Sequence, residues 1–111
     1  MNLAMLRSRL EELASLDEQE RVWLGNSSDV MSSFEEAVCG VFDDAGITRA
    51  MDSGVLRKEF GDEVFDQFRA LDALIQKVPV NLAPSDLVSR PLLANIRAAS
   101  CALLESKMFP K

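Results

Sequence analysis

Residues 26–46 read NSSDVMSSFEEAVCGVFDDAG, and this stretch decides the fold. Asn26-Ser27-Ser28-Asp29 concentrates the side chains that start helices, since each can accept a hydrogen bond from an N–H that the first turn leaves unpaired. From there Val30, Phe34, Ala37, Val38, Val41, Phe42 and Ala45 fall at helical spacing, which gathers them on one face. Gly46 stops the helix, because glycine readily takes the left-handed conformation that ends one. Gly40 lies inside it and costs up to about 1 kcal/mol against alanine. An interior glycine there is expected to mark a close approach by another helix or by a partner.

The same period extends in both directions. Upstream, Leu3, Leu6, Leu10 and Leu13 share a face of a helix over 2–14, with Asn2 able to cap it. That stripe then runs into Asp17 and Glu20. Ser15, with Glu18 three residues later, reads as a fresh capping box that opens a second helix over 16–24. One continuous helix over 2–24 is the alternative. Downstream, 47–53 reads as a loop with a turn of helix at most. Leu56, Phe60, Val64, Phe68, Leu71, Ile75 and Val78 resume helical spacing. Gly61-Asp62 interrupts it, so the spacing predicts a short helix to Phe60 and a longer one from Asp62 to Lys77, ended by Pro79. Residues 80–90 read as the longest connection. A last helix over 90–107 follows, with Ser89 as its cap and Pro91 in the first turn, where the missing N–H is not needed. Pro110 falls in a frayed tail. No stretch alternates in strand fashion, and no hairpin turn signal lies between apolar runs. The expectation is an all-α fold: one domain over 1–111, a compact antiparallel bundle of four to six helices.

Composition agrees with a single folded domain of 111 residues, 48% hydrophobic and 27% charged. Chemistry is constrained mainly by what is missing. There is no histidine, which removes Ser-His-Asp and Cys-His nucleophile arrangements, the usual zinc sites, and the Glu-x-x-His di-iron bundle. No phosphate-cradling glycine loop occurs. Asp43-Asp44-Ala45-Gly46 and Asp52-Ser53-Gly54 lack the alternating oxygen ligands and closing glutamate of a calcium loop. The pairs Glu11/Glu12, Glu35/Glu36 and Asp62/Glu63 diverge on a helix and read as solvated faces. Cys39 and Cys101 sit among apolar helical residues and read as small core hydrophobes. The chain is therefore expected to be no enzyme and to carry no cofactor or metal. The N-terminus shows no apolar signal region and no run is long enough to span a membrane, so a cytoplasmic location is expected.

The charge is unevenly placed. The net charge is −6, yet residues 11–48 hold ten acids against one base, Arg21, for −9, and the rest carries +3. Such a surface repels nucleic acid and anionic lipid and attracts a basic protein. The polar side of the 26–46 helix concentrates the effect: Asp29, Ser32, Ser33, Glu36, Gly40 and Asp43 form one stripe, with Glu35 and Asp44 at its rim. It is either a plain solvent face or a docking surface in which arginines of a partner meet Asp29, Glu36 and Asp43 and small residues allow close approach. Trp23 is either a buried anchor or, beside this stripe, a binding hot spot.

Asp17-Glu18-Gln19-Glu20, the acidic run from Asp29 to Asp44, Phe60-Gly61-Asp62-Glu63-Val64-Phe65 and the closing stretch from Arg90 to Arg97 give the chain a recognisable style. In size and style it resembles the small acidic helical immunity proteins of bacteria, inhibitors of contact-dependent or colicin-like toxins. The resemblance is to the class and transfers no individual residues. It implies a tight acidic plug for a basic toxin domain, often a nuclease. The functional expectation is a non-enzymatic module that binds a basic protein through Asp29, Ser33, Glu35, Glu36, Asp43 and Asp44. The alternative is a structural or homo-oligomeric subunit that uses an apolar face, with Leu3, Leu6, Leu10 and Leu13 as the candidate.

Overall fold

The computed structural model describes residues 1–25 and 33–110. Among these the chain forms α1 (Leu3–Ala14), α2 (Leu16–Trp23), α3 (Phe34–Cys39), a π-helical turn (Gly40–Asp44), α4 (Ile47–Ser53), α5 (Val55–Gln76), α6 (Pro84–Ser89) and α7 (Pro91–Leu104), with no strand. The fold is an all-α bundle, as the periodicity predicts. Both upstream caps form: Asn2 Oδ1 accepts from the Met5 N–H at 3.0 Å, and Ser15 Oγ from the Glu18 N–H at 3.1 Å. Ser15 is extended (φ −117°, ψ 118°), so α1 and α2 are separate helices and the continuous alternative falls.

The core follows from which stripes meet. α7 packs against α1 on one side and α5 on the other, and α1 in turn packs on α3 and the π turn. α4 bridges the π turn and α5, closing a ring of helices, while α2 and α6 close one end. Leu6, Leu10, Leu13, Val41, Ile47, Leu56, Phe68, Leu71, Leu93, Ile96 and Leu103 are wholly or almost wholly buried. Burial of each such side chain is worth about 1.5–3 kcal/mol. Phe42 from the π turn meets Phe68 of α5 edge to face, with centroids 6.4 Å apart. The leucine stripe of α1 is thus spent inside: only Leu3 remains exposed, and the apolar face expected for an oligomer is not free.

Several local readings are corrected. Residues 47–53 form a true helix, α4, rather than a loop, and α6 lies within the stretch read as a connection. Both are under three turns, too short to display a period. α7 starts at Pro91, and Ser89 does not cap it; its hydroxyl donates to the Asp86 carbonyl at 3.0 Å. The reason is Arg90, held extended (φ −72°, ψ 141°) because the proline ring crowds the residue before it. The tail beyond α7 stays packed, with Met108 buried and Phe109 against the core. Cys39 and Cys101 are exposed rather than core residues.

α5 spans the predicted interruption as a kinked pair. Gly61 has φ 89° and ψ 173°, a conformation open essentially to glycine alone. The kink is bridged by Arg57, whose Nε lies 2.9 Å from Asp62 Oδ1 and whose guanidinium stacks 4.0 Å from the Phe65 ring centre. Among the described residues no helix is long and apolar enough to cross a membrane.

Candidate functional site

α3 and the π turn run on from one another between Phe34 and Asp44 and carry most of the acidic side chains singled out from sequence. Asp29 and Ser32 lie outside the described residues. Ser33 is the N-cap of α3, its Oγ accepting from the Glu36 N–H at 3.1 Å, so its hydroxyl serves the helix before any partner. Glu35 and Glu36 are exposed in the first turn, where the positive end of the helix dipole favours carboxylates. Asp43 and Asp44 are exposed at the other end, where the same dipole disfavours them by about 0.3–1 kcal/mol each. Among the described residues, the side chains of Glu35, Glu36, Asp43 and Asp44 have no ion pair and no hydrogen bond.

The expected single stripe is broken at its centre. Gly40 is buried, and a Cβ there would lie 2.6 Å from both Cγ and Nε of Arg9. The close approach anticipated at this glycine therefore comes from α1. The register also changes, because the π turn bonds i to i+5: the Ala45 N–H donates to the Gly40 carbonyl at 2.8 Å. A seven-residue spacing across it no longer lines up Glu36 with Asp43.

The two ends face different concavities. Asp43 and Asp44 line a broad, open one of about 1400 Å3 together with Asp52 from α4. Among the described residues Arg49 is the one basic side chain on its wall, and the exposed apolar residues Met1, Leu3 and Val55 complete it. A bond from the Asn2 N–H to the Ala45 carbonyl at 3.0 Å holds the N-terminus at this edge. Glu35 instead lines a smaller cleft of about 320 Å3, walled by Trp23, Phe34 and the 75–87 region. Nothing in the sequence joins Asp52, Leu3 and Val55 to the acidic stripe, since they lie on different helices and share no period; Leu3 is expected there only as part of an apolar face. Among the described residues no three His, Cys, Asp or Glu side chains are close enough to hold a metal ion.

Beneath this surface lies a polar network built on Glu12, which its sequence neighbours suggest is solvated. Glu12 is buried, not solvated. Its Oε2 accepts from Trp23 Nε1 at 2.7 Å, and its Oε1 pairs with Arg9 Nη1 at 3.1 Å. Gln19, fully buried, donates through Nε2 to the carbonyls of Glu12 and Leu13 at 3.1 and 2.9 Å. Arg97 Nη1 completes the chain, donating to Gln19 Oε1 at 3.0 Å and to the Val88 carbonyl at 3.3 Å. Trp23 is the buried anchor, 7% exposed, and meets Phe34 edge to face at 5.8 Å. A signal for this existed: Arg9 sits within the Leu6–Leu13 stripe at helical spacing, with Glu12 three residues on.

The network ties α1, α2, α6 and α7 together, and two of its members touch the rod that displays the acids: Trp23 meets Phe34, and Arg9 lies against Gly40. What the exposed arrangement can do chemically is attract and pair with cations. Comparison with known proteins gives no matching family model, no similar curated protein and no similar solved structure.

Proposed function

We propose that the chain is a non-enzymatic binding module whose acidic concavity engages a basic protein. The observation that carries this is the state of Asp43 and Asp44. They are exposed, without an ion pair among the described residues, at the helix end that disfavours them, beside Asp52 and the exposed apolar side chains of Met1, Leu3 and Val55. Carboxylates at helix N-termini or in ion pairs, such as Glu18 with Arg21, are accounted for by the fold itself. Unpaired acids around an apolar centre match an interface in which charge steers encounter and apolar contact supplies the affinity. Glu35 and Glu36 extend the negative field from the far end of the same rod. The basic partner fits the toxin domain that the resemblance to immunity proteins implies, and its inhibition is part of this proposal.

The test is retention of basic proteins on the immobilised chain at low and high salt, compared with the Asp43→Lys/Asp44→Lys variant. The proposal expects one basic protein held by the wild type, weakened by salt because exposed pairs are screened, and lost with the variant while its circular dichroism is unchanged. The retained protein, purified, is then assayed for nuclease or other toxic activity with and without the chain. Retention that survives the double substitution removes the concavity from the reading. Unaltered activity of the partner removes the immunity component alone.

A further inference from the structure

The cleft at the opposite end of the acidic rod has a different character. Trp23, Phe34, Ile75, Val78, Leu82 and Leu87 wall it, and two prolines, Pro79 and Pro84, stiffen its rim. At about 320 Å3 it is large enough to enclose a few apolar groups. Val80 stands beside it, 84% exposed, the most solvent-exposed large apolar side chain among the described residues. Its turn is held by Asn81 in the left-handed region (φ 64°), which asparagine tolerates better than most residues. An apolar residue held out on a stiff turn next to an apolar cleft extends the contact surface rather than the core. Among the described residues, Glu35 is the one charged side chain lining the cleft, exposed and without an ion pair.

From this combination we infer that the cleft is a second contact site, which receives an apolar side chain from an amphipathic basic segment of a partner polypeptide, with a Lys or Arg of that segment on Glu35. The charge complementarity decides the occupant: an acidic or neutral segment would leave Glu35 beside a desolvated partner with no cation to pair it. The site goes beyond the acidic concavity and stands independently of it.

Trp23 is the single tryptophan and lines the cleft, so its emission reports occupancy directly. Three Trp-free peptides serve as probes: one of Leu and Lys at helical spacing, one of Leu and Glu, and one of Ser and Lys. The expected result is a saturable change in Trp23 emission with the Leu/Lys peptide only. Val80→Asp weakens it about tenfold or more, as for a residue central to a contact. Glu35→Lys transfers the preference to the Leu/Glu peptide. Both substituted side chains are exposed, so the fold is spared. Asp43→Lys/Asp44→Lys leaves the titration unchanged even if it abolishes retention of the basic protein, which separates the two sites. The inference is overturned by no saturable change with Leu/Lys, by equal binding of Ser/Lys, by indifference to both cleft substitutions, or by loss of the signal in the Asp43/Asp44 variant.

Discussion

Glu12→Ala distinguishes a buried structural carboxylate from a solvated one. The substitution removes the acceptor 2.7 Å from Trp23 Nε1 in a site where the indole is 7% exposed. A hydrogen bond to a charged group contributes about 1.5–3 kcal/mol, and a buried donor left without an acceptor costs about 1–3 kcal/mol. These overlap, because the second is largely how the first is felt. The pair with Arg9 adds little, since the Arg9 side chain is 31% exposed and water screens it. The expected loss is about 2–4 kcal/mol. With a urea dependence of about 2 kcal/mol per M, the middle of the range for a small protein, the midpoint falls by roughly 1–2 M. Glu12→Gln, which keeps an acceptor oxygen, loses about 1 kcal/mol. Unfolding is followed by far-ultraviolet circular dichroism, so that Trp23→Phe can enter a double-mutant cycle with Glu12→Ala. The cycle should give a coupling of about 1–3 kcal/mol. A Glu12→Ala loss within about 0.5 kcal/mol, the value of an ordinary surface change, would refute the buried network.

Gly40→Ala tests the contact that splits the acidic rod. Its backbone (φ −60°, ψ −40°) suits alanine, which should gain up to about 1 kcal/mol, but the new Cβ would lie 2.6 Å from Arg9. The net result expected is a loss of about 1 kcal/mol or more that turns neutral or favourable in an Arg9→Ala background, measured by thermal unfolding. Gly61→Ala should lower stability by about 1–3 kcal/mol and the melting temperature by several degrees. Adding Lys107→Ala should not rescue it, since the strain lies in the backbone and the Lys107 amine can move aside. Arg97→Ala takes the donor from Gln19 Oε1 and the Val88 carbonyl, so amide exchange should quicken in α6 before α5 or α7.

What could be read from sequence depended on how far its cause reaches along the chain. The caps at Asn2 and Ser15 were legible because donor and acceptor lie three residues apart. The buried faces of α1, α5 and α7 were legible because each repeats its period over several turns. The α7 start was misplaced by a residue because a proline constrains its predecessor as well as itself. α4 and α6 were hidden by brevity, and the π turn because nothing in residues 40–44 announces an i to i+5 bond. Glu12 was misassigned because its partners include Trp23, eleven residues on, and its burial depends on α2 folding back over α1. Gly40 was read correctly as a close approach, but its neighbour, Arg9, lies 31 positions upstream.

These assignments change what the acidic half of the chain means. A net −9 over residues 11–48 suggests one broad negative face, but the fold accounts for many of those charges separately. Glu12 is inside, Glu11 pairs with Arg7, and Glu18 pairs with Arg21. Asp17, Glu35 and Glu36 occupy first turns, where the helix dipole welcomes them. Glu20 is exposed at the start of the last turn of α2. Asp43 and Asp44 differ from all of these in combination: they sit at the unfavourable end of a helix, unpaired among the described residues, and around exposed apolar side chains. If charge only kept the domain soluble, replacing these two aspartates by asparagine should stabilise it slightly and cost nothing else. If they serve a partner, the same replacement should still stabilise the free chain while weakening the complex. That opposition of sign cannot arise from a residue that acts through the fold alone.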